Sequence, residues 1–298
     1  MTIGQYPAPG HTLVHLSDTH FVGDGERLYG KIDTDRNLTR VFAGLERAQL
    51  RPDAFVITGD LTDTGRPDAY ARLRDLVEPA AAELGAEVVW VMGNHDERGA
   101  FREGLLRTPA SQDPVDSVFE VRGLRLVALD STVPGHHHGE ITDAQLDWLA
   151  DVLAVPAEHG TLLALHHPPV PSPLGLLSLV ELTEQHKLAS VLEGTDVRGI
   201  LAGHLHYSST STFAGIPVSV ASATCYTQDL AVPFPTTRAQ DGAQSMNLVH
   251  VYGDRLLHSV VPLADFDTVY AVSAAQMAAF LDSPTDTSLG DVSNGSSK

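Results

Sequence analysis

Residues 88–96 read VVWVMGNHD, and this stretch decides the fold. Its first half, Val88–Met92, is apolar and rich in β-branched residues, which predicts a buried strand. Its second half places a glycine, an amide, an imidazole and a carboxylate directly after that strand. Four further motifs follow apolar runs in the same way: Asp18-Thr19-His20, Gly59-Asp60, His166-His167 and Gly203-His204-Leu205-His206. Five motifs in the same structural position imply that the strand ends converge on one site.

Around these motifs, predicted strands alternate with predicted helices. The predicted strands are Thr12–Leu16, Phe55–Thr58, Val88–Met92, Leu124–Leu129, Leu162–Leu165, Gly199–Ala202, Val218–Val220, Leu248–Val251 and Leu256–Val261, and the predicted helices are Leu38–Leu50, Asp68–Leu84, Asp143–Leu153 and Val180–Leu192. This alternation is typical of an α/β fold with a largely parallel inner part. The last strands lack intervening helices, so we expect antiparallel pairs there and a core of two mixed sheets.

The length of 298 residues fits one large α/β domain, for which we predict the bounds 1–263. Residues 264–298 form a predicted C-terminal extension. Apolar residues in an Ala-rich stretch predict a short helix within residues 264–282. The final 16 residues are rich in Ser, Thr, Asp and Gly, which predicts disorder.

Composition excludes several classes of protein. The formal charge is −19, whereas a protein that binds a nucleic-acid polymer or an anionic membrane surface needs a basic face. Cys225 is the only cysteine, so no intrachain disulfide exists and a reducing compartment is expected. We find no signal-peptide pattern and no apolar run of the ~20 residues that span a bilayer. We therefore expect a cytoplasmic protein.

The residue types in the five motifs indicate a metal site. Imidazole, carboxylate and amide oxygen without thiolate suit Mn, Fe, Zn or Co. Seven such ligands are too many for one ion but suit two ions that share one carboxylate. Two ions ~3.5–4 Å apart can stabilise the attacking and the leaving oxygen of a phosphoryl displacement together.

The order D-x-H, GD, GNHD, H and GHxH resembles that of the calcineurin-like metallophosphoesterases. The stretches LSDTH, RPDAFVITGDLTD, ELGAEVVWVMGNHD, VPGHHHGEI, LALHHPP, LAGHLHYS and SVASATCYTQDL resemble bacterial, mycobacterial-type class III cyclic-nucleotide phosphodiesterases more closely. The resemblance covers residues 12–262 and implies a four-layer α/β/β/α sandwich.

The resemblance also implies a ligand set for two cations, which we expect to be an Fe/Mn-type pair. The first set is Asp18, His20, Asp60 and His206, and the second is Asp60, Asn94, His166 and His204, with Asp60 shared. From the residues alone, His167 is an alternative to the adjacent His166, and the resemblance favours His166.

The expected mechanism is hydrolysis by a metal-bridging hydroxide. His95 follows Asn94 directly and is the candidate general acid for the leaving ribose oxygen, or else a phosphate donor. In the resembled family Asp63 orients this histidine, although turn capping is an equally good account of Asp63. The His136–His138 tract is either a surface feature that scavenges metal or, as the resemblance implies, a loop that contacts the substrate phosphate through His137 or His138. Tyr226 is expected either to stack on a base or to pack. The predicted substrate-binding residues are Asn94, His95, His137, His138 and His206.

The resulting hypothesis is a phosphodiesterase that converts 3′,5′-cAMP and 2′,3′-cyclic nucleotides to nucleoside monophosphates. The alternatives are a broad-specificity phosphodiesterase or phosphomonoesterase and, less favoured because the ligand set is intact, a non-catalytic scaffold. The related enzymes suggest a homodimer. The C-terminal segment from residue 264 is a candidate for association with the membrane periphery or the cell envelope.

Overall fold

A computed structural model describes residues 5–282. The predicted disorder of residues 283–298 lies outside them. The strands are β1 (His11–Leu16), β2 (Ala54–Thr58), β3 (Glu87–Val91), β4 (Ser117–Val121), β5 (Leu124–Ala128), β6 (Thr161–Ala164), β7 (Val197–Ala202), β8 (Ser209–Phe213), β9 (Ile216–Val220), β10 (Thr227–Gln228), β11 (Ala239–Gln240), β12 (Ser245–Val251) and β13 (Leu256–Pro262). The helices are α1 (Thr34–Ala48), α2 (Pro67–Leu84), α3 (Arg98–Phe101), α4 (Asp143–Leu153), α5 (Gln185–Leu192) and α6 (Ala274–Asp282), and shorter 3-10 and π turns lie at Gly23–Gly25, Arg102–Leu106 and Leu177–Leu179.

Two mixed sheets form the centre of residues 5–263. One has the strand order β13-β12-β1-β2-β3, and the other has the order β4-β5-β6-β7-β9-β8. The strands β1, β2 and β3 run parallel to one another, as do β5, β6 and β7. The carboxyl ends of the parallel strands in each sheet therefore meet along one edge, where the polar motifs follow them.

The buried apolar residues divide into three main clusters that separate four layers. One cluster joins the inner faces of the two sheets, with Leu13, Val56 and Leu126 among its members. A second packs α1 and α2 on the first sheet, and a third packs α4 and α5 on the second. Strands that are apolar on both faces need a covering layer on each side. The predicted α/β/β/α sandwich with two mixed sheets is thus confirmed.

Some predicted elements differ from those in the structure. The helix predicted over 180–192 begins only at Gln185, because Glu184 has a left-handed φ of 49° and Leu182 pairs with Gly139 as a β-bridge. The helix predicted over 38–50 begins at Thr34, because the Asp33 carboxylate accepts the Arg36 amide as an N-cap.

The expectation of antiparallel pairing for the last strands is correct for β12 and β13 but wrong for β9. Strand β9 runs parallel to β7, and only its other neighbour, β8, is antiparallel. Strand β8 is not predicted from the sequence because STSTF has no apolar run, and the edge strand β4 is not predicted either.

The C-terminal unit, from residue 264 onward, contains α6 within its described part. Ser273 and Gln276 exchange side-chain and backbone hydrogen bonds at the start of this helix, which explains why it begins at Ala274 rather than nearer residue 264. The domain bounds and the role of this extension stay predictions. Among residues 5–282, no helix is both long enough and apolar enough to cross a membrane.

Candidate active site

The strand ends bring the seven predicted ligands together. Asp18 and His20 follow β1, Asp60 follows β2, Asn94 follows β3, His166 follows β6, and His204 and His206 follow β7. All except Asn94 are buried, although each is a polar group that burial penalises unless it is paired.

Five of these seven residues adopt left-handed backbone conformations. The φ angles are 53° at Asp18, 44° at His20, 47° at Asp60, 70° at His204 and 56° at His206. A non-glycine residue in this region costs about 1–3 kcal/mol and persists where the surrounding structure imposes it. Such strain is concentrated at functional sites, and here it turns the side chains from the strand ends toward one point.

The side chains form two adjoining groups around Asp60. In the first, the Nε2 atom of His206 lies 3.1 Å from Oδ1 of Asp18. The Nε2 atoms of His20 and His166 each lie 3.4 Å from the same Asp60 atom, Oδ2. Asp60 therefore stands between the two groups, as the predicted shared ligand must.

The second group is held together by equally close approaches. The Nε2 atom of His166 lies 3.2 Å from Oδ1 of Asn94 and 3.2 Å from Nδ1 of His204. The other face of the Asn94 amide is occupied, because its Nδ2 lies 3.0 Å from the Nδ1 atom of His137. The amide oxygen of Asn94 is thus the atom that faces the group.

Hydrogen bonds on the outer side of each imidazole fix its tautomer. Nδ1 of His166 donates to the Thr58 carbonyl at 2.7 Å, and Nε2 of His204 donates to the Val180 carbonyl at 3.0 Å. In the first group, Nδ1 of His20 lies 3.0 Å from the Asp63 carboxylate, and Nδ1 of His206 donates to the Tyr226 carbonyl at 3.0 Å. A carbonyl only accepts, so these outer nitrogens carry the protons and the inner nitrogens present lone pairs.

The inner atoms are acceptors that face other acceptors. Within residues 5–282, Oδ1 of Asp18 and Nε2 of His20 are buried and have no hydrogen-bond partner. Buried polar atoms without partners are rare and need an explanation. Cations between the lone pairs supply one, and the imidazole, carboxylate and amide donors are those that borderline divalent metals accept. The residues therefore fit a binuclear metal site.

The electrostatics of the metal-free chain lead to the same conclusion. Burial opposes protonation of His20, but the carboxylates of Asp60 and Asp63 outweigh it and raise the His20 pKa to about 10. Burial likewise opposes protonation of His166, and the charge of Asp60 raises its pKa to about 9. Protons are thus drawn to the positions that cations would take, so metal binding must displace them.

His167 lies beside His166 and His204, and Cys225 lies beside His20 and His206, so both could be considered as ligands. Both nitrogens of His167 are used, because Nε2 donates to the His137 carbonyl at 3.1 Å and Nδ1 lies 2.8 Å from the Ser131 hydroxyl. The Cys225 thiol lies 3.8 Å from the outer nitrogen of His206, and burial raises its pKa. The geometry therefore favours His166 over His167 and keeps Cys225 out of the ligand set.

His95 lies at the exposed edge of the cluster. Its backbone amide donates to Oδ1 of Asp60 at 2.9 Å, and its Nδ1 donates to the backbone carbonyl of Asp63 at 2.8 Å. The Asp63 carboxylate is 3.9 Å from that nitrogen, beyond hydrogen-bond range, and binds His20 instead. Asp63 therefore contacts both histidines, but it orients His95 through its main chain.

The loop of three histidines approaches the site through one member. The His137 ring lies 5.5 Å from the His95 ring and contacts Asn94, whereas His138 packs on His136 with ring centroids 5.1 Å apart. Of the two predicted contacts in this loop, the structure places His137, and not His138, against the cluster. The Tyr226 ring lies 4.4 Å from that of His206.

Asp96 is a structural member of the site to which the sequence analysis assigned no role. Its carboxylate accepts the amides of Leu61, Thr62 and Gly93 at 3.1, 3.1 and 2.9 Å, and the Tyr70 hydroxyl at 2.8 Å. It therefore ties the loop after β2 to the loop after β3. Burial raises the Asp96 pKa to about 6. The sequence feature that points to Asp96 is its position at the end of the GNHD motif.

Two glycines are required by close packing at the site. A Cβ atom on Gly93 would lie 2.0 Å from the Asp60 amide nitrogen, and one on Gly203 would lie 1.8 Å from Oγ of Ser17. Neither glycine has a positive φ, so the reason in both cases is lack of space.

Comparison with known proteins places this site in a family. Residues 11–208 match the sequence profile described as calcineurin-like phosphoesterase. The chain is 60% identical over 265 residues to a probable cyclic nucleotide phosphodiesterase of Rhodococcus erythropolis, which covers 89% of this chain and 88% of that protein. It is 58% identical over 265 residues to a cAMP/cGMP dual specificity phosphodiesterase of Mycobacterium tuberculosis, covering 89% and 83%.

Solved structures share the fold at low sequence identity. A dimetal phosphatase from Danio rerio aligns with a TM-score of 0.60 at 18% identity, over 86% of this chain and 98% of that one. A purple acid phosphatase from yellow lupin aligns with a TM-score of 0.60 at 15% identity, over 87% of this chain and 53% of that one. With the profile match and the relatives at 60% and 58% identity, these findings show that the chain belongs to the calcineurin-like phosphoesterase family.

Proposed function

We propose that this chain hydrolyses cyclic nucleotides, 3′,5′-cAMP and 2′,3′-cyclic nucleotides among them, to nucleoside monophosphates. The observation that carries the proposal is the pair of lone-pair clusters on either side of Asp60, with His95 at their exposed edge. Relatives at 60% and 58% identity bear the names of cyclic-nucleotide phosphodiesterases, which supports this substrate class over other phosphate esters.

The proposed cofactors are two cations of the Fe, Mn, Zn or Co class, with an Fe/Mn-type pair favoured. Asp18, His20, Asp60 and His206 would hold one, and Asp60, Asn94, His166 and His204 would hold the other. When bound, such a pair neutralises the phosphoryl oxygens and makes a water molecule acidic enough to act as the nucleophile at neutral pH. The site would also reverse the repulsion that a chain of charge −19 exerts on an anionic substrate.

His95 is proposed as the general acid. Its Nδ1 keeps its proton and donates it in a hydrogen bond to the Asp63 carbonyl, and its Nε2, on a side chain that is 30% exposed, has no hydrogen-bond partner among residues 5–282. The bond between the water oxygen and phosphorus forms while the bond between phosphorus and a ribose oxygen breaks. The Nε2 proton of His95 passes to that ribose oxygen.

The remaining substrate contacts follow from position. Asn94 and His206 lie in the two ligand groups, and His137 stands beside His95, where it can donate to a phosphoryl oxygen. His138 stays a weaker candidate because it packs on His136. We further propose a homodimer and a cytoplasmic enzyme whose C-terminal segment from residue 264 associates with the cell envelope. Sedimentation, and fractionation with and without residues 264–298, test these two proposals.

A substrate panel with metal analysis tests the function. Purified protein is assayed on cAMP, cGMP, 2′,3′-cAMP, a glycerophosphodiester and an aryl phosphate monoester at equal concentration, and its metals are counted by elemental analysis. We expect two equivalents of metal and the highest kcat/KM on a cyclic nucleotide. A glycerophosphodiester or the monoester ranked above every cyclic nucleotide would replace the proposal with the broad-specificity alternative. Activity without bound metal would exclude the mechanism.

A further inference from the structure

An exposed tyrosine, Tyr29, lies at the rim of the metal-ligand cluster and has no role in the mechanism above. It belongs to a tight hairpin in which Leu28 and Ile32 exchange two backbone hydrogen bonds of 3.0 Å. Leu28 and Ile32 are buried against Ala223 and Cys225, whereas Tyr29 as a whole residue is 64% exposed. The hairpin is therefore anchored by its flanks and presents Tyr29 to solvent.

The backbone of this hairpin does not favour a tyrosine. Tyr29 has a φ of 52° and the following Gly30 a φ of 67°. Two successive left-handed residues form the kind of turn in which Asn-Gly, Asp-Gly or Gly-Gly is preferred, and a bulky side chain in the first position is strained. Strain of this kind at the edge of a site is grounds for a functional hypothesis about the side chain.

A row of aromatic rings connects Tyr29 to the predicted metal ligands. The Tyr29 ring lies 5.7 Å from the Tyr226 ring, which lies 4.4 Å from His206 and 6.1 Å from His20. These spacings are those of interacting aromatic pairs. The row begins at imidazoles that face the metal positions and ends at an exposed phenol ring. In a cyclic nucleotide, one sugar ring separates the phosphorus from the base, so a phosphate at the cluster brings the base within reach of this row.

We propose that Tyr29, supported from behind by Tyr226, is the platform on which the nucleobase of the substrate stacks. This inference rests on the proposed function, because it assumes a nucleotide substrate. Stacking on an aromatic ring strengthens binding by about 10-fold or more and tolerates different bases, because every base has a π face. Adenine and guanine nucleotides should therefore bind within a few-fold of each other, with pyrimidine nucleotides weaker.

A thermodynamic cycle tests the platform directly. Calorimetry on the full chain reconstituted with Mn²⁺ measures the dissociation constants of 5′-AMP and of ribose 5-phosphate, which lacks the base. In the wild-type protein the base should strengthen binding by about 10-fold or more. Tyr29→Ala should abolish most of this advantage and leave the binding of ribose 5-phosphate unchanged.

Two control variants test whether the loss of base binding is specific to Tyr29. Tyr6→Ala removes another exposed tyrosine, which packs on Tyr252 and Arg255 beside the start of β1, at the other end from the site, and should keep the advantage of the base. His137→Ala removes the ring on the opposite flank, beside His95. If His137→Ala abolished the advantage of the base and Tyr29→Ala did not, the platform would be overturned.

Tyr29→Asn separates the platform from a purely structural role. Asparagine tolerates the left-handed conformation, so this variant should raise the midpoint of thermal unfolding by a few degrees and weaken the binding of 5′-AMP. A lowered midpoint together with unchanged 5′-AMP binding would show that Tyr29 serves the fold alone.

Turnover distinguishes failure of this inference from failure of the function. If the wild-type protein hydrolyses no cyclic nucleotide, the proposed function is wrong. If it hydrolyses cAMP and Tyr29→Ala leaves the KM for cAMP unchanged, only the platform is wrong. The expected result is a KM for cAMP raised about 10-fold, with kcat and the hydrolysis of glycerophosphoethanolamine unchanged.

Discussion

The Nε2 atom of His166 lies 3.2 Å from the Nδ1 atom of His204, and the second nitrogen of each ring donates to a backbone carbonyl. Two neutral imidazoles in these tautomers turn their lone pairs toward each other. This arrangement is unfavourable unless a cation or a proton lies between the rings. The fold therefore holds the two histidines in an arrangement that needs a positive charge between the rings, either a proton in the metal-free chain or a bound metal ion.

The first prediction concerns the number of metals. His166→Ala removes a ligand from one group only and should lower the metal content from about two equivalents to about one, measured by elemental analysis after dialysis. His167→Ala is the matched control, because His167 is the adjacent buried histidine and uses both nitrogens elsewhere. Loss of a metal in His167→Ala, with two equivalents kept in His166→Ala, would reverse the assignment.

The second prediction concerns His95. His95→Ala should keep both metals, because the side chain contacts no proposed metal position through its Nδ1 and its backbone amide still donates to Asp60. Turnover of cAMP should fall by about 10²–10⁴-fold, the range of a general acid. Steady-state kinetics on metal-replete protein measures the fall, and unchanged kcat would remove His95 from the mechanism.

The third prediction is that replacing Asp63 weakens metal binding and largely spares turnover, which is the opposite of the result expected for His95→Ala. The Asp63 carboxylate binds the outer nitrogen of His20, while its main-chain carbonyl orients His95. Asp63→Ala should therefore lower metal affinity by about 10–100-fold, as loss of such an outer carboxylate does elsewhere. At saturating metal, most of the turnover should return, since the main-chain carbonyl is retained. A loss of kcat that excess metal cannot restore would mean that the carboxylate acts on His95.

The location of the site could be predicted from the sequence because it depends on local pattern. Each ligand directly follows an apolar run, and the carboxyl ends of parallel strands meet at one edge. Asp18, Asp60 and Asn94 needed only that rule to be placed together. The wrong direction predicted for β9 did not affect the predicted location of the site, because β9 carries no ligand.

What the sequence did not predict depends on contacts between distant segments. Asp63 is 43 residues from His20 and 32 residues from His95 in sequence, and only the folded loop decides which of the two its carboxylate reaches. The Asp96 carboxylate accepts hydrogen bonds from backbone amides of two loops, and the spacing of residues in the sequence does not predict this arrangement. Tyr29 was missed because its role follows from an unusual backbone angle rather than from a motif.

The fourth prediction concerns the space at Gly93. A Cβ atom there would lie 2.0 Å from the Asp60 amide nitrogen, a backbone atom that cannot move without displacing the shared ligand. Gly93→Ala should destabilise the fold by about 1–3 kcal/mol or more and lower metal occupancy, measured by denaturant unfolding and elemental analysis. Gly253→Ala is the control, because its Cβ would meet nothing within 4 Å. Equal stability of the two variants would contradict the close approach.

The fifth prediction concerns pH and Asp116, which lies away from the ligand cluster. Burial raises the Asp116 pKa to about 6, although the Asp130 amide and the Gln145 side chain both donate to its Oδ1. A carboxyl whose pKa is raised on folding makes its full contribution to the free energy of unfolding below the unfolded pKa, about 4, and this contribution is lost as the pH rises through 6.

Asp116→Asn keeps the accepting oxygen without the charge. It should match the wild type near pH 4 and exceed its stability by about 1–3 kcal/mol at pH 7, after allowance for solvent screening. Asp147→Asn, at an exposed position of α4, should show no such divergence in urea unfolding across pH 4–7. If Asp116→Asn were less stable than the wild type at pH 7, the carboxylate would be a net stabilising hydrogen-bond acceptor rather than a charge that burial penalises.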